Sequence, residues 1–346
     1  FMKKLSFAII GCGRISHKHI EALADNFKEA DLVSVCDIIP EKMDKDVEEY
    51  YDFMKQRGIN LDKKINKYTD YKEMLKREDI DAVSICTESG HHAVHALYCL
   101  NAGKHVLVEK PMALSLNDAD KMIKLSREKN LKLGICHQNR FNPPIQKLRR
   151  AVEERRFGKI INGTARILWN RNDDYYKQAP WRGTKALDGG TLMNQCIHNI
   201  DLLQWMMGSE VERVHCERGT FLRNIEMEDF GAILIRFKNG SIGIVEGSAC
   251  VYPKNLEETL SIFGEKGTVV IGGLAVNKIK TWQFADERDY DKEDENTEID
   301  SVYGRGHTPL YKNFIDAVNE NKEPLINGEE GRKALKIILE AYEVCK

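Results

Sequence analysis

The residues best suited to chemistry stand in two places. One is the stretch LDGGTLMNQCIHNIDLLQWMMG, Leu187 to Gly208, where Asn194, His198 and Asp201 are spaced four and three apart. On a helix that spacing puts an amide, an imidazole and a carboxylate on one face of an otherwise apolar segment. An imidazole, with an unperturbed pKa of about 6.5, suits proton transfer at neutral pH and makes His198 a candidate general base. The Asn194 amide orients a hydroxyl but cannot take its proton. Asp201, one turn beyond His198, would either orient the imidazole or pair inside the core, the second being the expected role. The other place is AIIGCGRIS, which gives Gly11-x-Gly13-x-x-Ser16 between an apolar run and a helix-like segment. There the first glycine permits a tight turn, and the second lets a pyrophosphate approach the backbone at a helix N-terminus. Asp37 ends the next apolar run, with no arginine in the Ile38-Ile39-Pro40 that follows. A carboxylate there accepts hydrogen bonds from ribose hydroxyls and repels a 2′-phosphate, so the pattern predicts NAD rather than NADP. Gly11, Gly13, Arg14, Ile15 and Asp37 are the expected contacts.

These side chains need a scaffold. Over residues 1–136 short apolar runs (LSFAII, ADLVSVCD, DAVSICT, KHVLVEK, LKLGIC) alternate with helix-like segments. That alternation predicts α/β architecture with a doubly wound parallel sheet. Over 137–346 the pattern changes to an α+β domain with a large, mainly antiparallel sheet. Its clearest hairpin is FGAILIRFKNGSIGIVEGSA, turning at Asn239-Gly240. Helices on one face leave the other face open, and a second copy of the chain, as a homodimer or homotetramer, is its expected cover. The run Asp286–Asp300 holds nine acids and two bases and reads as a solvated loop.

With 42% apolar and 31% charged residues and a net charge of -2, the chain has the composition of a soluble globular protein. Nothing in it points to nucleic acid or to a membrane. Nine cysteines without a CxxC pair read as reduced thiols of a cytoplasmic protein, and Cys12 and Cys196 have no basic partner implied that would make either a nucleophile. His91 and His95 have metal-ligand spacing but no third ligand nearby, so no metal is expected. Phe1 precedes a natural-looking Met2 and reads as an appended residue.

Four segments, in order over nearly the whole chain, resemble the glucose–fructose oxidoreductase / inositol dehydrogenase (Gfo/Idh/MocA) family. They are the Gly11-Cys12-Gly13 loop, Glu109-Lys110-Pro111 within CTESGHHAVHALYCLNAGKHVLVEKPMALS, Arg140-Phe141-Asn142-Pro143, and the Leu187–Gly208 stretch. The resemblance implies a Rossmann domain followed by an open-faced substrate domain, and pyridine-nucleotide oxidation or reduction at a sugar or polyol carbon. It implies that Thr87, His92, Glu109 and Lys110 lie at the cofactor, with Lys110 and His198 in catalysis assisted by Asn194. Lys110 would hydrogen-bond the reacting oxygen and stabilise alkoxide character, or relay the proton itself. Arg182, in Trp181-Arg182-Gly183-Thr184, and Arg140 would bind substrate with Asn194. Two departures stand out: Thr87-Glu88 replaces the family's usual Thr-Pro, and Asn194 stands where an aspartate is common. WRGTKALDGGTLMNQCIH is similar to the nucleotide-sugar branch, such as UDP-N-acetylglucosaminuronate 3-dehydrogenases. An inositol or free-sugar dehydrogenase, an enzyme that recycles bound NAD during glycoside hydrolysis, and a non-catalytic NAD-binding sensor or scaffold stay open. Arg305 and His307 would reach substrate or cap the penultimate helix.

Overall fold

The computed structural model describes residues 4–298 and 303–345. The readings of Phe1 and Met2, and of Ile299 and Asp300 at the end of the acidic run, lie outside the described residues. The chain forms two compact units, one of Phe1–Cys136 with His307–Arg332 and one of His137–Gly306 with Lys333–Lys346. The continuous 137–346 segment expected from the sequence is therefore interrupted.

In the first unit, six described strands form a parallel sheet: β1 (Leu5–Ile10), β2 (Ala30–Cys36), β3 (Asn66–Tyr68), β4 (Ala82–Ile85), β5 (His105–Val108) and β6 (Leu133–Ile135). Their order is β3-β2-β1-β4-β5-β6, all pairs parallel. Helices α1 (Ser16–Asp25), α2 (Pro40–Gln56), α3 (Tyr71–Met74), α4 (His92–Asn101) and α5 (Leu116–Glu128) connect them. Phe7, Ile9, Val35, Val83, Ile85, Val106 and Val108 are buried, as a sheet covered on both faces requires. The order reverses between β1 and β4, so the loops after these strands diverge and leave a crevice at their carboxyl ends. Edge strand β3, with the polar sequence NKY, had no apolar pattern to announce it.

The second unit contains α6 (Pro143–Glu153), β7 (Ile160–Leu168), α7 (Asp173–Lys177), α8 (Thr191–Asn194), α9 (Ile197–Met207), β8 (Val211–Gly219), β9 (Phe230–Phe237), β10 (Ile242–Ser248), β11 (Glu257–Gly264), β12 (Gly267–Gly272) and β13 (Lys278–Phe284). Among the described residues seven strands make one sheet, ordered β13-β12-β11-β7-β10-β9-β8, with β7·β10 the parallel pair. The Asn239-Gly240 turn joins β9 to β10 as expected, with Gly240 at φ +85°. Helix α9 lies on β7, β10 and β11. Glycine lets it come close: a Cβ at Gly163 would stand 2.7 Å from the Leu203 side chain. The acidic run is more than a solvated loop. Buried Arg156 donates to both carboxylate oxygens of Asp291, at 2.6 and 2.8 Å, and to Asp286 at 3.0 Å.

The chain ends with α10 (His307–Asn319), in the first unit, and α11 (Gly328–Val344). Tyr311 and Phe314 of α10 pack on Phe7 of β1, with ring centroids 5.5 and 6.3 Å apart. Burying these rings is what returns the chain to the first sheet. No described helix is long and apolar enough to cross a membrane.

Candidate active site

The dinucleotide motif sits at the crevice the strand order creates. Gly11 has φ +92°, and a Cβ on it would lie 2.7 Å from the Thr87 amide nitrogen, so only glycine fits between the loops after β1 and β4. A Cβ on Gly13 would meet no described atom within 4 Å, which leaves room for a group approaching the backbone. Arg14 and Ile15 form the entry to α1, whose first amides lack intrahelical partners. Ser16 is buried and donates to the Gly13 carbonyl at 2.6 Å, closing the turn where a third glycine usually stands. At the end of β2 the Asp37 carboxylate accepts from the Cys12 amide at 2.8 Å and the Ile39 amide at 2.9 Å. It is thus held beside the glycine loop with lone pairs left for hydroxyls. The group the residues fit is a dinucleotide with an unmodified ribose.

Lys110 follows β5 and is half-buried. His92 is buried, and its ring nitrogens lie 2.7 Å from the Pro111 carbonyl and 2.9 Å from the Thr87 carbonyl. It fastens two loops together. Burial, against those hydrogen bonds, pushes its pKa down. Glu109 is also buried, its carboxylate 3.0 Å from His19 Nε2. His19, Glu109 and Cys136 bring one donor atom each within 4.8 Å of one another. The His19 nitrogens are already engaged, one with Glu109 and one with Tyr311, so the trio reads as a hydrogen-bond network. His307, expected at substrate or as a cap, is the first residue of α10 and is buried 3.5 Å from the same carboxylate.

In the second unit the helix expected across Leu187–Gly208 is broken. Helix α8 ends at Asn194 and α9 begins at Ile197, so Asn194 and His198 do not share one continuous helix. Gly189 and Gly190, at φ +87° and +99°, open α8 over the buried Glu228, which accepts from the Leu192 amide at 2.9 Å. Asn194 is held by a hydrogen bond to Asp188. His198 is half-buried, edge-to-face with His137 at 5.7 Å. Asp201 does not orient it. Asp201 and Arg140 are fully buried and form a bidentate pair, with Arg140 Nε and Nη2 donating at 2.7 and 2.6 Å. Burial raises the Asp201 carboxyl, but the Arg140 charge, His137 and the hydrogen bonds outweigh it and hold it below the usual range. Arg140 is therefore a core residue, not a substrate ligand.

Arg182 is half-buried between solvent and its aromatic neighbours. Its guanidinium carbon stands 4.3 Å from the Tyr175 ring centroid and 4.6 Å from that of Trp181. Nη1 donates to the Tyr175 hydroxyl at 2.6 Å, while the buried Nε has no hydrogen-bond partner among the described residues. Arg171, to which no motif points, stacks on Trp169 at 4.4 Å and on Tyr175 at 5.0 Å, so one tyrosine sits against two guanidiniums.

A parallel sheet of this order, with a glycine loop after β1 and an acid after β2, is the arrangement of a dinucleotide-binding domain. Residues 5–137 match the family described as "Oxidoreductase family, NAD-binding Rossmann fold", and residues 145–270 match the "GFO/IDH/MocA C-terminal domain". The chain belongs to the Gfo/Idh/MocA family. It is similar to the WlbA dehydrogenase of Bordetella pertussis, solved with NADH and UDP-GlcNAcA, at 37% identity, covering 99% of this chain and 95% of that one with a TM-score of 0.90. It is 27% identical to myo-inositol 2-dehydrogenase of Thermotoga maritima, over 96% of this chain and 93% of that protein. It is 26% identical to the NAD(+)-dependent scyllo-inositol 2-dehydrogenase of Bacillus subtilis, over 77% and 73%. The chain is an NAD-dependent dehydrogenase acting on CH–OH groups.

Proposed function

We propose that the chain oxidises a secondary hydroxyl of a nucleotide-sugar acid of the UDP-N-acetylglucosaminuronate type. The observation that carries the reading is Arg182, stacked between Trp181 and Tyr175 with a buried donor left over. A guanidinium held in this way binds a carboxylate or phosphate at little entropic cost. The likeness to a dehydrogenase solved with UDP-GlcNAcA supports the same substrate class.

Bound NAD supplies the hydride acceptor. Gly11, Gly13, Arg14, Ile15 and Asp37 hold its pyrophosphate and adenosine ribose, and Thr87 its nicotinamide side. Lys110 donates to the reacting oxygen and stabilises the charge that develops as hydride departs. His198 accepts the hydroxyl proton, and Asn194, fixed by Asp188, orients that hydroxyl. The open face of the second sheet, where Leu234 and Ile244 stand opposite one another and stay exposed, seats a second copy of the chain.

The test compares UDP-N-acetylglucosaminuronate with uncharged UDP-N-acetylglucosamine. The acid is expected to be turned over with a clear kcat/KM advantage. Arg182→Ala is expected to erase that advantage mainly through KM. Equal use of both sugars by the unaltered chain would overturn the proposal.

A further inference from the structure

The cluster around Glu109 has no part in the steps above, and a fully buried carboxylate one residue from the reactive lysine calls for a reason. Removing a carboxylate from water is costly unless its partners compensate, and stripping one partner from such a set leaves the others unpaired. Here the side-chain partners are assembled from three elements. Ser84 of β4 lies 2.5 Å from the Tyr311 hydroxyl of α10, and Tyr311 lies 2.7 Å from Nδ1 of His19 on α1. His19 Nε2 lies 3.0 Å from Glu109 Oε1. One proton arrangement that satisfies these distances has Ser84 donate to Tyr311, Tyr311 to His19 Nδ1, and His19 Nε2–H to the carboxylate. His307 approaches Oε1 from α10 at 3.5 Å. The remaining oxygen, Oε2, accepts from the Lys110 amide at 3.2 Å. The network thus ends on the backbone of Lys110.

We propose that buried Glu109, braced by His19, Tyr311 and Ser84, positions Lys110 and supplies the negative charge that keeps its ammonium protonated. The proposal rests on the reading of Lys110 as the residue that donates to the reacting oxygen. The other titratable groups facing Glu109 carry no competing negative charge. They are His19, His307 and Tyr311, Cys86 after β4, Cys136 after β6, and His92 of α4. Burial pushes both thiols and the Tyr311 phenol up, and pushes His92 and His307 down, so none of the five adds a negative charge. Burial also raises the Glu109 carboxyl, but the His19 hydrogen bond and the nearness of His19 and His307 overcome it and hold it well below the usual range. Glu109 is then the anion of this cluster, joined through Oε2 to the Lys110 backbone. Glu109 is a positioning residue: it acts through Lys110.

The experiment reads Lys110 directly. The full chain, saturated with NAD, is labelled with acetic anhydride across a pH series, and mass spectrometry gives the pH of half-labelling at Lys110 and at exposed Lys254. In the unaltered chain Lys110 is expected to label at or above the pH of Lys254. Glu109→Gln, which keeps shape and removes charge, is expected to lower the Lys110 value by about one unit or more. Glu109→Asp, which keeps the charge, is expected to hold it within about half a unit, and Lys254 is expected not to move in either variant. Lys110 labelling a full unit below Lys254 in the unaltered chain would overturn the proposal, whether or not the glutamine variant folds. So would Gln and Asp variants with equal Lys110 values. Turnover by Lys110→Ala tests the catalytic reading separately: that reading would fail on retained turnover while the labelling result stood.

Discussion

Replacing Asp37 is the sharpest test of the cofactor assignment, because its carboxylate is fixed and its two effects on nucleotide choice multiply. The Cys12 and Ile39 amides hold it at 2.8 and 2.9 Å, so it meets a ribose without having to be ordered first. A hydrogen bond to a charged acceptor is worth about 1.5–3 kcal/mol, so Asp37→Ala should weaken NADH binding by roughly 10- to 150-fold. The same carboxylate repels a 2′-phosphate. A unit charge pair about 4 Å apart interacts by about 1 kcal/mol in water and about 4 near a protein surface, so NADPH should gain at least about fivefold. The ratio of the two Kd values should shift toward NADPH by at least about fifty-fold. Fluorescence titration of both reduced nucleotides measures it. Asp37→Asn retains an acceptor for the Cys12 amide and controls for damage to the glycine loop. A ratio that moves less than about threefold, in a variant with unchanged melting, would refute the argument, because neither physical effect is that small.

Lys110→Ala should leave NADH affinity within about twofold while turnover falls by about 10²–10³, the usual loss when one donor to a developing oxyanion is removed; equal losses in both would mean a structural role. Asp201→Asn strands the buried Arg140 charge and should cost about 3–5 kcal/mol, read as a fall of roughly 6–20 °C in the melting of the second unit. The folded Asp201 carboxyl is held below its unfolded value, so its contribution is complete above the ordinary carboxylate range and is lost as pH falls through the depressed value. Calorimetry should accordingly show less acid-side dependence in the Asn variant. Ile244→Lys on the open sheet face should reduce the mass found by analytical ultracentrifugation, whereas an unchanged mass would place any interface elsewhere.

What could be read from the sequence was local. The glycine loop and Asp37 lie on a strand, a turn and the next strand, and their types alone restrict the backbone. The Asn239-Gly240 hairpin was legible for the same reason. What could not be read was set by contacts far along the chain. Arg140 meets Asp201 across 61 positions, and Arg156 meets Asp291 across 135, so an expected ligand and an expected loop became structural. The break after Asn194 was hidden because Gln195 and Cys196 keep helical dihedrals, and a periodicity of side chains does not reveal where the hydrogen-bond ladder slips. His307 was out of reach because nothing near it says that α10 packs on the first sheet.

The central claim is oxidation of a nucleotide-sugar acid with NAD. Its most direct test mixes the purified chain with NAD and a panel of UDP-sugar acids, UDP-sugars, inositols and free hexoses, and follows the absorbance of reduced nicotinamide. A prior denatured sample shows whether NAD is already carried. The account expects reduced nicotinamide with UDP-N-acetylglucosaminuronate and little with inositols or free hexoses. Reduction by inositols or hexoses alone, or by no compound on the panel, would contradict it.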